Sequence, residues 1–439
     1  MSKKILPIVE LTLDKIVGGG QTLGSLDYGK KAFVWGGLPG EKVNVQLTKK
    51  KSSYVEGVVV EVLEPSADRV NPIDETSYLS TSPWQIMNFE REQHYKAALI
   101  EEAFELHDIV LPEPIDVYSD NRSSEYRNKL EFSWWWDKEA AQLDLAFFRR
   151  GTHGKIPVDG SSLADPKIIV AAHTIRDTLR IRGVQAYSLK TLLVRSNRAG
   201  NVVAQLYVND EMFDAFTEDE LRDFSIQGFE LIFSNPKSPA SVITKRLQAW
   251  GNTSLTDTIL DVPFTYAVEG FFQINLPVYE QALLDMKQWV AVDKPAVDLY
   301  SGVGTIGLTI GGDHVTMVEI NEHAVREMER NITALQREQA AKAILAPSET
   351  ALEHITSDAT IIVDPPRAGL HEDVVKKLLE TMPDRIIYLS CNPVTQARDV
   401  ALLAAETYGI RAHRGYNFFP RTPHIEHLVV LDRIPTPTK

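Results

Sequence analysis

Between residues 8 and 64, apolar and polar positions alternate in short stretches: Ile8–Leu13, Lys31–Val34, Lys42–Thr48 and Tyr54–Val62. Glycine-rich turns separate them, at Gly18-Gly19-Gly20, Gly36-Gly37 and Pro39-Gly40. A period of two marks half-buried strands, and short strands between such turns predict a small OB-like β-barrel. Lys49-Lys50-Lys51 falls on a predicted loop beside Tyr54. Glu64-Pro65-Ser66 and Asn71-Pro72 break the pattern as a linker. From Phe89 to His107 the period becomes helical, with Tyr95, Leu99, Ala103 and Leu106 on one face. From 116 to 262 strands return. Tyr126–Phe132 alternates charge with bulk, Trp134-Trp135-Trp136 follows, and Leu143–Phe148 leads into Arg149-Arg150-Gly151. Neighbouring side chains on a strand point to opposite faces, so the three tryptophans cannot all share one side.

From 263 the texture changes again. Strand patterns at Ala296–Leu299, His314–Glu319, Ala343–Leu345, Thr360–Val363, Arg385–Leu389 and Ile425–Leu431 alternate with helices, among them Thr305–Ile310 and Ala324–Gln339. Such alternation predicts an α/β domain built on a largely parallel sheet with helices on both faces.

Composition narrows the class. The 439 residues suffice for two or three domains, and 44% hydrophobic with 24% charged residues is ordinary for a soluble globular protein. No apolar run is long enough to span a bilayer, and Met1-Ser2-Lys3-Lys4 leads straight into the barrel pattern without a signal-peptide core. One cysteine excludes an intrachain disulfide and any cysteine-only metal centre, so a reducing cytoplasm and a monomer are expected. The net charge of −14 argues mildly against a nucleic-acid partner unless the cations cluster. The candidates for such a cluster are Lys49, Lys50, Lys51, Arg122, Arg127, Lys129, Arg149 and Arg150, several of them beside aromatic residues, as RNA binding requires.

Three segments carry chemistry. Asp298-Leu299-Tyr300-Ser301-Gly302-Val303-Gly304-Thr305-Ile306-Gly307 follows a predicted strand and opens a helix, and the acidic Glu319 ends the next strand. This matches G-x-G-x-x-G and predicts a nucleotide-type cofactor; at this point NAD and S-adenosylmethionine both remain open. Ile361–Val363 runs into Asp364-Pro365-Pro366-Arg367-Ala368-Gly369. The two prolines stiffen that turn and remove two amide donors, leaving Asp364 as acceptor and Arg367 as donor where an open α/β sheet holds its ligands. This suits a planar, hydrogen-bonding base better than a hydride-transfer reaction. Finally, Ile386–Leu389 ends in Ser390-Cys391-Asn392-Pro393, which puts the only thiol at a strand's carboxyl end.

In this order the segments resemble the S-adenosylmethionine-dependent RNA uracil-C5 methyltransferases over almost the whole chain. Residues 8–64 resemble that family's TRAM barrel. Phe271-Phe272-Gln273-Ile274-Asn275 resembles its F-x-Q-x-N segment, and Asp364–Gly369 its D-P-P-R-x-G. Ser390–Pro393 resembles its S-C-N-P, and His424-Ile425-Glu426 its closing H-x-E. The resemblance implies a TRAM barrel over 1–66, a β-rich middle domain over 67–262 whose helix 89–107 is placed to pack on the catalytic domain, and a Rossmann-like methyltransferase domain over 263–439. It implies Cys391 as nucleophile, Glu426 as base, and Asp364 and Arg367 as the groups that hold and polarise a flipped uracil. It places Gln273, Tyr300, Gly302, Gly304, Thr305, Glu319 and Asp364 around S-adenosylmethionine and Phe271 against the bound base. Lys49, Lys50, Lys51, Arg127, Lys129, Arg149 and Arg150 are then expected on ribosomal or transfer RNA. The rivals are an RNA methyltransferase for another atom, a NAD enzyme, or a catalytically silent RNA-binding protein. The joint presence of Cys391, Asp364 and Glu426 argues against the last.

Two departures stand out. Many relatives carry four cysteines for an iron–sulfur cluster, whereas Thr76–Trp84 and Ser161-Ser162-Leu163 have none, so no cluster and no metal are expected. Thr305 stands where relatives often have Asn, and an acidic residue common after the third strand is replaced near Pro347-Ser348.

Overall fold

A computed structural model describes residues 6–150, 154–239, 241–405 and 407–435; Met1–Lys4 and Gly151, read above, lie outside them. Strands β1 (Ile8–Ile16), β2 (Thr22–Ser25), β3 (Lys31–Trp35), β4 (Lys42–Lys50) and β5 (Tyr54–Glu64) close a barrel in the order β1-β2-β3-β5-β4. Leu11, Leu13, Val43, Val45 and Leu47 alternate into its interior. β4 and β5 approach so closely that a Cβ at Gly57 would lie 2.3 Å from Val45. The lysine run is not a loop: Lys49 and Lys50 continue β4, and only Lys51 enters the turn.

The linker is tied down by polar bonds. Arg69 forks onto the wholly buried Glu41 of the barrel, at 2.5 and 2.7 Å. Asp74 accepts from Ser162 N (3.0 Å), Ser162 Oγ (3.0 Å), Ser161 Oγ (3.3 Å) and Gln85 Nε2 (2.9 Å). Removing one acceptor strands Ser162 N and the hydroxyls of Ser162 and the buried Ser161, while Gln85 Nε2 keeps Ser82 Oγ at 2.7 Å. Asp74→Ala is therefore expected to lower unfolding stability by about 2 kcal/mol or more. Chemical denaturation checks this, and a loss below about 0.5 kcal/mol, the range of a neutral surface change, would show the lattice to be idle.

α1 (Tyr78–Thr81) precedes α2 (Phe89–Glu105), which Asn88 caps by accepting from Glu90 N. The helix buries Glu92, Lys96, Ile100, Ala103 and Phe104. This corrects the predicted stripe: Leu106 is 73% exposed, and Tyr95 and Leu99 pack toward Trp84 instead. The apolar spacing gave no sign that two charged residues would turn inward.

β6 (Val117–Tyr118) is followed by β7 (Lys129–Asp137), β8 (Gln142–Phe148), β9 (Lys155–Pro157), α3 (Pro166–Ile181), β10 (Leu189–Ser196), β11 (Val202–Val208), α4 (Glu218–Asp223), β12 (Gly228–Phe233) and β13 (Lys245–Gly251). β7 to β13 form a seven-stranded sheet in the order β13-β12-β11-β10-β7-β8-β9. α3 lies on it through Ile168, Ala171, Ala172, Ile175 and Leu179. Trp134 is 1% exposed and Trp135 37%, the alternation that a strand imposes. The hairpin β14 (Ser254–Ile259) and β15 (Val262–Ala267) leads on to α5 (Leu276–Lys287).

The remaining elements are β16 (Ala296–Leu299), α6 (Thr305–Ile310), β17 (Val315–Glu319), α7 (Glu322–Ala334), β18 (Ala341–Leu345), β19 (Thr360–Val363), α8 (Glu372–Thr381), β20 (Arg385–Ser390), α9 (Pro393–Ala404), β21 (Tyr408–Tyr416) and β22 (Glu426–Arg433). Their sheet runs β18-β17-β16-β19-β20-β22-β21-β6. The first five strands are mutually parallel, and β22 runs antiparallel to both its neighbours. β6 pairs parallel with β21, so a strand that precedes the middle sheet in sequence completes this one. α7 begins at Glu322, where Asn321 caps it by accepting from His323 N and Ala324 N, and ends at Ala334, earlier at both ends than the predicted Ala324–Gln339. Among the described residues, no helix is long and apolar enough to cross a membrane.

Candidate active site

The parallel strands all point their carboxyl ends at one cleft of about 1510 Å³. At its first wall β16 gives way to a sharp turn. Tyr300, Gly302 and Gly304 all take positive φ, of 63°, 55° and 84°. At Gly304 and Gly307 a Cβ would lie 2.8 Å from Met328 and 2.6 Å from Met317, so these glycines let α6 sit down on its neighbours. Gly302 is different: nothing lies within 4 Å of a Cβ there, and the backbone faces open cleft. Asp298 anchors the turn from below, its Oδ2 accepting from Gly307 N at 2.9 Å. It is wholly buried, and burial, then Asp364 and Glu319, push its carboxyl well above the usual range. Glu319 ends β17 with one oxygen on Gly302 N (2.9 Å) and the other on Asn321 N (2.7 Å). Each oxygen keeps an accepting position, which suits a ribose diol. The open cradle at Gly302 beside this carboxylate fits an adenosine-bearing cofactor. Thr305 is committed to Tyr279, hydroxyl to hydroxyl at 2.7 Å. Tyr300 OH accepts from His371 N at 3.4 Å.

The opposite wall is built by two turns that hold each other. The carbonyl of Arg367 accepts from Asn392 Nδ2 (2.8 Å) and Thr395 Oγ1 (3.2 Å), and Arg398 donates to the Ala368 carbonyl (3.0 Å). Asn392 also caps α9, accepting from Val394 N, while Pro393 fills the first helical turn, where no amide donor is needed. Asp399, 1% exposed, joins Leu370 N and Tyr388 OH, each at 2.8 Å.

Cys391 follows β20 directly. In the antiparallel pair, Ser390 sits opposite His427 as the last pair of the register, and Cys391 and Glu426 are the residues next to it on either chain segment. Glu426 is 4% exposed, and burial together with Asp364 lifts its carboxyl well above the ordinary value, against the pull of Arg367. Burial likewise raises Asp364. The Cys391 thiol is pushed up to about 12 by burial, then by Glu426 and Asp364, with Arg367 opposing. Arg367 Nη2 lies 3.3 Å from His424 Nδ1. Burial and the charges of Arg367, Lys96, Arg150 and Arg127 lower that imidazole to about 4, which keeps it neutral.

Phe271, Gln273, Tyr300, Gly302, Thr305, Glu319, Asp364, Arg367, Cys391 and Glu426 all line this one cleft; Gly304 is not part of the lining and packs against Met328 and Met317. The proposed RNA cations lie outside the lining. Lys49 pairs with Glu56 at 2.8 Å, and Lys50 and Lys51 are exposed on the barrel. Arg127 is half-buried, and Arg149 bonds through its amide to the Gly154 carbonyl. Lys129 donates to the Glu269 carbonyl at 3.3 Å and is lowered to about 8, mainly by burial. Arg150 stacks 4.2 Å over Trp35 and donates to the Leu79 carbonyl. Lys129 and Arg150 thus face protein groups.

A cluster that the sequence did not reveal holds the segment that precedes Glu426. Lys96 and Glu92 form a 3.0 Å ion pair with both side chains inaccessible. Lys96 Nζ also reaches Asn417 Oδ1 (2.5 Å) and the Phe419 carbonyl (3.0 Å), while Glu92 accepts from Arg421 N (3.0 Å). Together they fix the segment that delivers His424 and Glu426. An i,i+4 pair on a helix normally reads as solvated, and only the neighbouring segment of sequence reverses that.

With this geometry established, similarity to known proteins can be weighed. The family model tRNA (Uracil-5-)-methyltransferase matches residues 90–434, and the TRAM domain model matches 9–60. An uncharacterized RNA methyltransferase of Enterococcus faecalis is 29% identical, with 97% of each chain covered. One from Lactobacillus johnsonii is 28% identical, covering 97% of this chain and 98% of its own. The crystal structure of Pyrococcus abyssi tRNA (uracil-54, C5)-methyltransferase in complex with S-adenosyl-L-homocysteine superimposes with a TM-score of 0.77 at 21% identity, over 96% of this chain and 99% of that one. The fold is therefore that of the latter enzyme, and the chain belongs to the tRNA (uracil-5-)-methyltransferase family, with a TRAM barrel at its amino-terminal side.

Proposed function

We propose that this protein methylates carbon 5 of a uridine in structured RNA through a covalent bond between Cys391 and carbon 6 of the base. The carrying observation is that Cys391, one residue past β20, and Glu426, the first residue of β22, adjoin the last pair of that register and line one cleft with Asp364 and Arg367. S-adenosylmethionine, held by Gly302, Glu319, Tyr300 and Gln273, supplies an electrophilic methyl group. Carbon 5 of uracil is a weak nucleophile. The Cys391 thiolate adds to carbon 6, and the ring's double-bond electrons move to carbon 5 and the neighbouring carbonyl oxygen. Arg367 and the neutral form of Asp364 donate to the base and stabilise that charge. After methylation, Glu426 takes the proton from carbon 5; the freed electron pair restores the ring double bond and expels the thiolate. The buried carboxyl of Glu426, raised above its ordinary value, makes the stronger base that proton removal from carbon needs. The only cysteine in the chain is committed to this cleft, which leaves no thiolate set for an iron–sulfur centre. Mass spectrometry of RNA from cells with and without the gene tests the reading: 5-methyluridine should be lost at defined positions. Unchanged 5-methyluridine would overturn it.

The raised thiol has a kinetic signature. Its reactive form is the thiolate, a requirement that points toward alkali, whereas the neutral Asp364 that donates to the base is lost above about 7, where burial has placed its carboxyl. kcat/KM should climb about tenfold per pH unit up to about pH 7 and then level off, if the thiol proton leaves to solvent and Glu426 acts only after methyl transfer. A flat profile would mean that the proton passes directly to a carboxylate inside the cleft.

Binding should also depend on salt. Reversing Lys49, Lys50 and Lys51 to glutamate should weaken RNA affinity and flatten the log–log salt slope, by about 0.7 per lost phosphate contact. The affinity for S-adenosylmethionine should stay the same. RNA binding unchanged by the triple reversal would remove this face of the barrel from the RNA site.

A further inference from the structure

Between β15 and α5 the chain runs from Val268 to Asn275 without regular structure, yet two of its side chains, Phe271 and Gln273, reach the cleft. Phe271 is 74% exposed, so its own packing does little to aim it. What is fixed is the backbone. Arg195 donates from Nη1 to the Gly270 carbonyl (2.9 Å) and, at 3.4 Å, to that of Val268. Its Nη2 donates to the Phe272 carbonyl at 2.7 Å. Lys129 reaches the Glu269 carbonyl (3.3 Å), and Asn128 Nδ2 that of Gln273 (3.0 Å). These donors come from one place: Arg195 and Lys129 are cross-strand partners in β10 and β7, and Asn128 precedes β7.

We infer that Arg195 is a positioning residue for the reaction, which with Asn128 and Lys129 clamps the carbonyls of Val268, Glu269, Gly270, Phe272 and Gln273 so that the middle sheet aims Phe271 and Gln273 into the cleft. The inference rests on the roles proposed above for those two side chains. Arg195 is wholly inaccessible. Its guanidinium lies 4.7 Å from the Tyr266 ring, which itself stacks on Phe272 at 3.9 Å. Its Nε has no partner among the described residues. Burying a cation in this way costs stability, and an apolar side chain of similar volume would often serve packing as well or better. Only a planar fork of donors, however, can hold alternate carbonyls of an irregular segment at once. Lysine keeps the charge and loses the fork.

The test compares Arg195→Lys, Arg195→Met and Asn128→Ala with the parent in the full chain. The affinity for S-adenosylhomocysteine, the RNA KM and kcat, and amide hydrogen exchange are measured in each. Arg195→Met is expected to weaken S-adenosylhomocysteine binding and raise the RNA KM about tenfold or more, as sub-ångström to ångström misplacement does. Arg195→Lys should recover part of the loss, and exchange should quicken at residues 268–275 in all three. Adding Phe271→Ala to Arg195→Met should not deepen the RNA defect, because both changes remove the same contact. Fully additive losses, or folded Arg195→Lys and Asn128→Ala variants with parental binding and exchange, would overturn the inference. If Arg195→Met does not fold, those two variants decide alone. S-adenosylhomocysteine binding and exchange report on the clamp even if the RNA product proves not to be 5-methyluridine, so the two readings fail separately.

Discussion

Cys391→Ala should abolish methyl transfer, with a loss on the order of 10⁴-fold or more, while RNA and S-adenosylmethionine still bind. The expectation is large because, in the proposed mechanism, the thiol does what no neighbour can: it makes carbon 5 nucleophilic by bonding to carbon 6. The substitution is also small and is made at a half-exposed site, so folding should survive it. A single-turnover assay with labelled methyl donor measures the effect directly. Activity within about tenfold of the parent would end the covalent route, since losses of key nucleophiles are far larger than that.

Glu426→Gln should fail at a different point. The amide matches the carboxyl in shape, so the cleft stays packed, but it cannot take the proton from carbon 5. Steady-state turnover should fall by about 10²–10⁴-fold, the usual contribution of a general base. Methylated RNA should remain bonded to the protein through Cys391 and migrate as a slow band on a denaturing gel. The charge of Glu426 is also one of the forces that lift the Cys391 thiol. Its removal should therefore speed alkylation of Cys391 by iodoacetamide near pH 8. A variant that turns over freely, or one that forms no adduct while Cys391→Ala is inactive, would assign proton removal to another group.

Much of this site was legible because its chemistry sits in short, local words. Asp364–Gly369 and Ser390–Pro393 each combine a strand's end, a turn and a helix start within a few residues, and local chain stiffness fixes them wherever the fold goes. The strand set of the methyltransferase sheet was legible for the same reason. What stayed hidden depends on which distant group a charged side chain meets. Lys96 and Glu92 read as a helix's wet face and prove to be sealed under the segment before Glu426. Lys129 and Arg150 read as phosphate ligands and turn to the Glu269 and Leu79 carbonyls. Arg195, in an apolar strand, gave no sign that it reaches across to Gly270 and Phe272. Periodicity identifies which face is buried; it carries no information on the acceptors waiting there.

The place of β22 has a consequence for how the chain is made. This strand lies inside the sheet, between β20 and β21, although every other strand precedes it in sequence. Lys96 likewise reaches across 321 positions to Asn417. Such wiring gives a high contact order, and non-local contacts repay their loop-closure entropy late, so refolding should be slow for a chain of this size. On the ribosome, β20 and β21 must wait with two open edges until residues 426–433 emerge, a state in which strands invite the wrong partners. The strand that relieves this exposure is the one that begins with Glu426, so a nascent chain closes its sheet and acquires its proposed base in the same event.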